Sequence, residues 1–115
     1  MNFEEFSAYS SLEEKNYHCR FYNLTTGIAP RHSDTVDVKF LVNGKGVVVA
    51  LAHAGLVEFR RQTGRSLTDP DVIWIAALTL KELLETGDGV EEPLITLSPQ
   101  QTLEQAQRMV ALTAR

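Results

Sequence analysis

Cysteine is nearly absent from this chain of 115 residues, which has a single one, Cys19. One cysteine cannot form a disulfide within the chain, so a reducing compartment is the simplest setting. The N-terminal residues lack the basic region and the apolar run of a secretory signal. We therefore expect a cytoplasmic protein whose fold depends on a hydrophobic core rather than on disulfides.

The chain also lacks a long hydrophobic run and an excess of positive charge. Its most apolar stretch, residues 72–78, is far shorter than the about 20 residues that span a bilayer, so no membrane contact is predicted. Eleven lysines and arginines stand against 15 aspartates and glutamates, which gives a net charge of −4 and disfavours a nucleic-acid partner. The length and the 43% hydrophobic composition predict one globular domain over residues 1–115.

The most strongly marked element is a helix over residues 70–86. Pro70 suits the first turn of a helix, and Gly87 suits the left-handed conformation that ends one. Residues 72–78 are apolar at every position, whereas a surface helix keeps a polar side. Trp74 and Leu78 project away from the stripe that would face a sheet. We interpret these two residues as either core or a contact with a protein partner, including a second copy of the chain.

A β-hairpin is predicted over residues 35–52, because two alternating apolar runs flank Asn43-Gly44. This dipeptide favours the two left-handed residues of a type I′ turn. With Asn43 and Gly44 as the loop, one face of the hairpin is almost wholly apolar and must be buried. That face carries Val36, Val38, Phe40, Val42, Val47, Val49 and Leu51.

Further strands are predicted near residues 16–22 and 93–97, and further helices near 53–63 and 99–113. Residues 23–34 read as a loop. For residues 1–15 we weigh a short amphipathic helix, suggested by the spacing of the aromatic side chains, against a loosely held segment. The order of elements predicts an α+β domain, with a small antiparallel sheet and helices packed mainly on one face.

The candidates for a polar site are His18, Arg20, His32 and His53. No pair of these histidines has the spacing of metal ligands on one helix or hairpin, so no metal site is assigned. Cys19 is predicted on the opposite strand face from His18, where a thiol acts as a small core residue. We therefore assign no catalytic residue and no cofactor.

A cluster of three arginines, Arg60, Arg61 and Arg65, is the candidate for anion contact. The helices over 53–63 and 70–86 resemble a helix-turn-helix in outline, but the second begins with apolar side chains that do not suit a DNA groove. The function that we expect is non-enzymatic, through protein–protein contact as an interaction, adaptor or regulatory module. Two alternatives stay open: a small enzyme or ligand-binding domain whose site forms only in three dimensions, and a nucleic-acid-binding regulator.

Overall fold

The computed structural model describes residues 3–27, 34–86 and 94–113. Its elements in chain order are β1 (Glu5–Ser10), β2 (Lys15–Gly27), β3 (Thr35–Val42), β4 (Lys45–Ala52), α1 (His53–Thr63), α2 (Asp69–Thr86), β5 (Leu94–Thr96) and α3 (Pro99–Thr113). A five-stranded sheet with three helices confirms the predicted α+β class, and the three predicted helices are all present.

The strands lie in the order β1-β2-β3-β4-β5, so each pairs with its neighbours in sequence. The antiparallel pairing predicted for β2, β3 and β4 is confirmed and β1, which was not predicted, continues it, whereas the strand predicted near residues 93–97 runs parallel to β4. The reason is the connection: α1 and α2 lie between β4 and β5, and a helical crossover returns the chain to the same end of the sheet. The sheet is therefore mixed.

The β3–β4 hairpin has the register that the sequence predicts. Val38 lies opposite Val49 and Phe40 opposite Val47. Asn43 and Gly44 both have positive φ, at 50° and 83°, as a type I′ turn requires. The predicted apolar face is buried under the helices apart from the half-buried Val36. We call this side of the sheet the helix face; the opposite side is the open face.

The N-terminal helix considered for residues 1–15 is wrong, because residues 5–10 form an edge strand. In this strand Phe6, Ala8 and Ser10 are buried and the residues between them are exposed. Tyr9 and Leu12, which completed the apparent helical spacing, are 51% and 76% exposed. Pairing with β2 determines the conformation, because it supplies hydrogen-bond partners for the backbone. A short isolated helix would be only marginally stable in water.

Strand β2 is longer than residues 16–22, because the part of the predicted loop over residues 23–27 continues the strand. The register shifts between Phe21 and Asn23, which leaves Tyr22 as a bulge residue. A bulge inserts one residue and changes which side chains face the core. Beyond it Leu24, rather than Asn23, packs against the core. The rest of the predicted loop, over residues 28–33, lies outside the described residues.

Helices α2 and α3 begin with reciprocal caps, whereas α1 begins without a side-chain cap. At α2 the Thr68 hydroxyl accepts a hydrogen bond from the Asp71 N–H, and the Asp71 carboxylate accepts one from the Thr68 N–H at 3.0 Å. Ser98 and Gln101 make the same pair of bonds before α3. These are capping boxes, which satisfy free N–H groups at a helix start. The predicted end of α2 at Gly87 lies outside the described residues.

The core lies between the helix face and the three helices. Helix α1 packs tightly on α3 at Gly55, where an added Cβ would lie 2.4 Å from the Pro99 carbonyl oxygen. Next to this contact the Thr102 hydroxyl accepts a hydrogen bond from the buried Ala52 N–H at 3.0 Å. The contact joins the end of β4 to the last helix, and the described helices all lie on the helix face.

Candidate functional site

The open face carries the outward side chains of the strands, and its middle is apolar. Tyr22 and Leu94 are 58% and 52% exposed. Leu41 and Val48 lie between them and are half-buried. The register places Leu94 beside Val48 and Lys39 opposite Val48. We call Tyr22, Leu41, Val48 and Leu94 the apolar patch.

Two cations border the apolar patch, Lys39 and Arg20. The Lys39 ammonium lies 5.2 Å from the centre of the Tyr22 ring, within cation–π range. The Lys39 stem crosses Gly46, where an added Cβ would lie 2.9 Å from the lysine Cε. Within the described part of the chain, neither cation forms an ion pair with a carboxylate. The patch therefore combines exposed apolar surface with positive charge available to a partner.

A small polar depression adjoins the patch. It has a volume of about 170 Å³ and is lined by Glu5, His18, Arg20, Leu41, Asn43 and Gly44. His18 Nε2 lies 2.9 Å from a Glu5 carboxylate oxygen. The Asn43 side-chain oxygen accepts a hydrogen bond from the His18 backbone N–H at 2.8 Å. The depression thus presents a histidine–carboxylate pair beside a guanidinium.

The structure brings together two of the four residues predicted for a polar site. His18 and Arg20 share the depression, whereas His53 lies at the start of α1 on a separate cavity of about 250 Å³. His32 lies outside the described residues. Glu5 was missed, because its strand was not predicted. The sequence offered only a weak signal, the alternation of Phe6 and Ala8 with the polar Glu5 and Ser7.

The three arginines predicted for anion contact do not form one free cationic surface. Arg61 bonds to Glu58, and these bonds hold the pKa of the Glu58 carboxyl below its usual value. Arg65 lies 3.3 Å from the Asp71 carboxylate. Arg60 lines the same cavity as His53. With two of the three charges compensated, this arrangement does not favour a phosphate backbone as partner.

Trp74 and Leu78, the residues predicted for an interface, are packed differently from each other. Leu78 is 7% exposed and belongs to the core cluster. Trp74 is half-buried, and its ring stacks on Phe3 with the ring centres 5.3 Å apart. Leu78 is thus buried within a single copy of the chain, while Trp74 keeps part of its surface.

Cys19 is fully buried on the helix face, beneath the helices. Burial raises the pKa of its thiol to about 11, against a lowering contribution from Lys81. The thiol is therefore protonated at neutral pH, which makes it a poor nucleophile. Over residues 3–27, 34–86 and 94–113, no three histidine, cysteine or acidic side chains form a group that could hold a metal ion.

None of the helices in the described ranges is both long enough and apolar enough to cross a membrane. Comparison with known proteins gives no relative: no protein-family model, no curated protein and no solved structure matches the chain.

Proposed function

We propose that the chain is a cytoplasmic, non-enzymatic interaction module that binds a protein partner through the open face of its sheet. The observation that carries the proposal is the exposure of the apolar patch: Tyr22 and Leu94 are both more than half exposed, on the face of the sheet that none of the described helices covers. Exposed apolar surface rimmed by polar groups is typical of sites that bind other proteins.

The composition of the open face supports this role. Tyrosine and arginine are enriched at protein interfaces, where one side chain offers a large contact area together with a hydrogen-bonding group. Tyr22 and Arg20 both lie here, and the sheet presents them on a rigid frame. Strand pairing on both sides of β3 holds the backbone of Lys39 and Leu41 in place. Binding a partner therefore costs little backbone conformational entropy.

The charges indicate what the partner contributes. An apolar side chain placed over Leu41 and Val48 would bring a neighbouring acidic group within reach of Arg20 and Lys39. These cations lack carboxylate partners among the described residues, so pairing them does not require an internal ion pair to break. We therefore propose a partner segment that carries apolar and acidic side chains together.

The test compares matched surface substitutions by quantitative affinity purification from the cells of origin. The double variant Tyr22→Ser, Leu94→Ser removes the exposed part of the patch. The control Val57→Ser, Leu112→Ser removes apolar side chains of 51% and 54% exposure from the helices. We expect the patch variant to lose a partner that the wild type and the control retain. Equal recovery of every partner by all three proteins would refute the role of the open face.

A second candidate function, binding of a small anionic ligand, is favoured by the polar depression. There the His18 imidazole and the Arg20 guanidinium line one concavity of about 170 Å³, and an anion that binds His18 takes the place of the exposed Glu5 carboxylate. We expect acetate or inorganic phosphate to shift the His18 ring resonances in a saturable NMR titration, and Arg20→Gln to abolish the shift. A titration without saturation would rule this site out.

A further inference from the structure

Strand β1 forms one edge of the sheet, and the direction of its free hydrogen-bonding groups can be derived from one bond. The Phe21 N–H donates to the Glu4 carbonyl oxygen at 2.7 Å. In an antiparallel pair the residues bonded to the neighbouring strand alternate, so the even-numbered residues of this segment bond to β2. The backbone N–H and C=O groups of Glu5, Ser7 and Tyr9 therefore point away from the sheet.

This edge carries one charged side chain, Glu5, but lacks the other features that usually protect an edge strand. Proteins blunt edges with proline, with lysine or with very short strands, because unpaired backbone groups recruit another strand. Strand β1 has six residues and contains neither proline nor lysine. At the opposite edge β5 has only three residues. Among the residues that the structure describes, β2 is the only strand that pairs with β1.

We propose that β1 pairs antiparallel with β1 of a second copy of this chain, about a two-fold axis at Ser7. In this register Ser7 faces Ser7 of the second copy, and Glu5 faces its Tyr9. Each of these pairs consists of residues whose backbone groups point outward, so the register forms six N–H···O=C bonds across the axis. Every outward backbone group of Glu5, Ser7 and Tyr9 finds a partner in one arrangement.

The side chains of β1 are compatible with this register on both faces. On the helix face Phe6 meets the small Ala8 of the second copy, so a large side chain lies beside a small one. On the open face the Glu5 carboxylate meets the Tyr9 phenol of the second copy, which can donate a hydrogen bond to it. No like charges lie directly opposite each other. This self-complementarity is the reason for choosing a second copy over an unrelated peptide.

The residues around β1 also favour pairing with a second copy of the chain. Helix α2 packs more closely on β1 than on any other strand, and Phe3, two residues before β1, stacks on Trp74. Both rings are half-buried. A second copy would bring its own α2 beside this pair, and the two sheets would join into one of ten strands. The inference is independent of the proposed open-face partner, because it uses the strand edge and leaves the apolar patch exposed.

Light scattering combined with size-exclusion chromatography, at tens of micromolar protein, tests the pairing. We expect the wild type to have twice the chain mass of 12.8 kDa. Ser7→Pro removes an outward N–H and leaves the bonds to β2 intact, so it should halve the mass without changing the circular dichroism spectrum. Ser7→Thr keeps the N–H and should remain a dimer. A monomeric wild type, or a Ser7→Pro protein that stays dimeric, would overturn the proposal.

Cross-linking tests the register and does not depend on how well Ser7→Pro folds. Directly opposed residues in a hydrogen-bonded antiparallel pair have Cα atoms about 5.5 Å apart, within the range of a disulfide. Ser7→Cys should therefore give a covalent dimer on mild oxidation. Ser11→Cys, on the exposed turn after β1, should form one at least tenfold more slowly. Equal rates for the two variants would refute the two-fold axis at Ser7.

Discussion

Replacement of Thr102 by valine should separate the contribution of one buried hydrogen bond from that of packing. Thr102 is 0% exposed, and its hydroxyl oxygen accepts a bond from the Ala52 N–H at 3.0 Å. Valine keeps the shape of the side chain and removes this acceptor. Ala52 is itself buried, so its N–H is left without a partner. An unsatisfied buried donor costs about 1–3 kcal/mol of the free energy of unfolding.

A matched control is available in α2. Thr79 is 2% exposed, and its hydroxyl donates to the Ile75 carbonyl oxygen at 2.9 Å, one turn earlier. That carbonyl also accepts the helical bond from the Thr79 N–H. Thr79→Val therefore removes a hydroxyl of equal burial and leaves no backbone group unpaired. We expect this variant to change the free energy of unfolding by no more than about 0.5 kcal/mol.

Urea denaturation followed by the fluorescence of Trp74 measures both variants. The dependence of the unfolding free energy on urea should be unchanged, because the surface exposed on unfolding is nearly the same. In thermal unfolding, an entropy of about 2.1 cal/mol/K per residue makes each kcal/mol worth about 4 °C in a chain of this length. Equal losses for Thr102→Val and Thr79→Val would refute the argument, since the Ala52 bond would then contribute nothing of its own.

Three further predictions concern packing, capping and the thiol. Gly55→Ala should destabilise the fold more than Gly64→Ala, because a Cβ at residue 55 overlaps the α3 backbone. Gly64→Ala meets no neighbour and should cost roughly 1 kcal/mol through its φ of 72° alone. Equal losses of unfolding free energy in urea would contradict the overlap. Thr68→Ala should cost about 1 kcal/mol in urea denaturation through loss of the α2 cap, whereas Thr68→Ser should cost less than half as much. Cys19 should resist a thiol reagent at pH 8 until urea unfolds the chain. Burial raises the pKa of the thiol from 9.0 to about 11 on folding, so between these pH values the folded state binds more protons than the unfolded state. The free energy of unfolding should therefore fall as the pH rises through this range, and it should fall less steeply in Cys19→Ala.

The parts of the fold that follow from local chemistry could be predicted from the sequence. The β3–β4 register depends on the Asn43-Gly44 turn and on an alternation of apolar residues, both of which are properties of neighbouring positions. The starts of α2 and α3 depend on short capping patterns around Thr68 and Ser98. In each case the residues that determine the structure lie within a few positions of one another.

Other features depend on contacts between distant residues and were not predictable in this way. The segment before β2 has aromatic spacing compatible with a helix, and only pairing with β2 makes it a strand. The bulge at Tyr22 brings Leu24 rather than Asn23 to the core, which a regular alternation along the strand does not indicate. The pairing of Glu5 with His18 follows from the same strand. The sequence therefore indicated His18 and Arg20 as residues of the polar depression, but not Glu5.

The contact of α1 with α3 has a consequence for synthesis of the chain. Helix α3 follows all the other described elements, and it supplies the oxygen for the Ala52 N–H and the wall against Gly55. On a translating ribosome the meander of β1 to β4 can pair strand by strand as it emerges, since each strand meets its predecessor. The space that α3 will occupy beside α1 stays open to solvent during that time. We expect the nascent chain to be most vulnerable to proteases and most in need of chaperones in the interval before α3 leaves the exit tunnel.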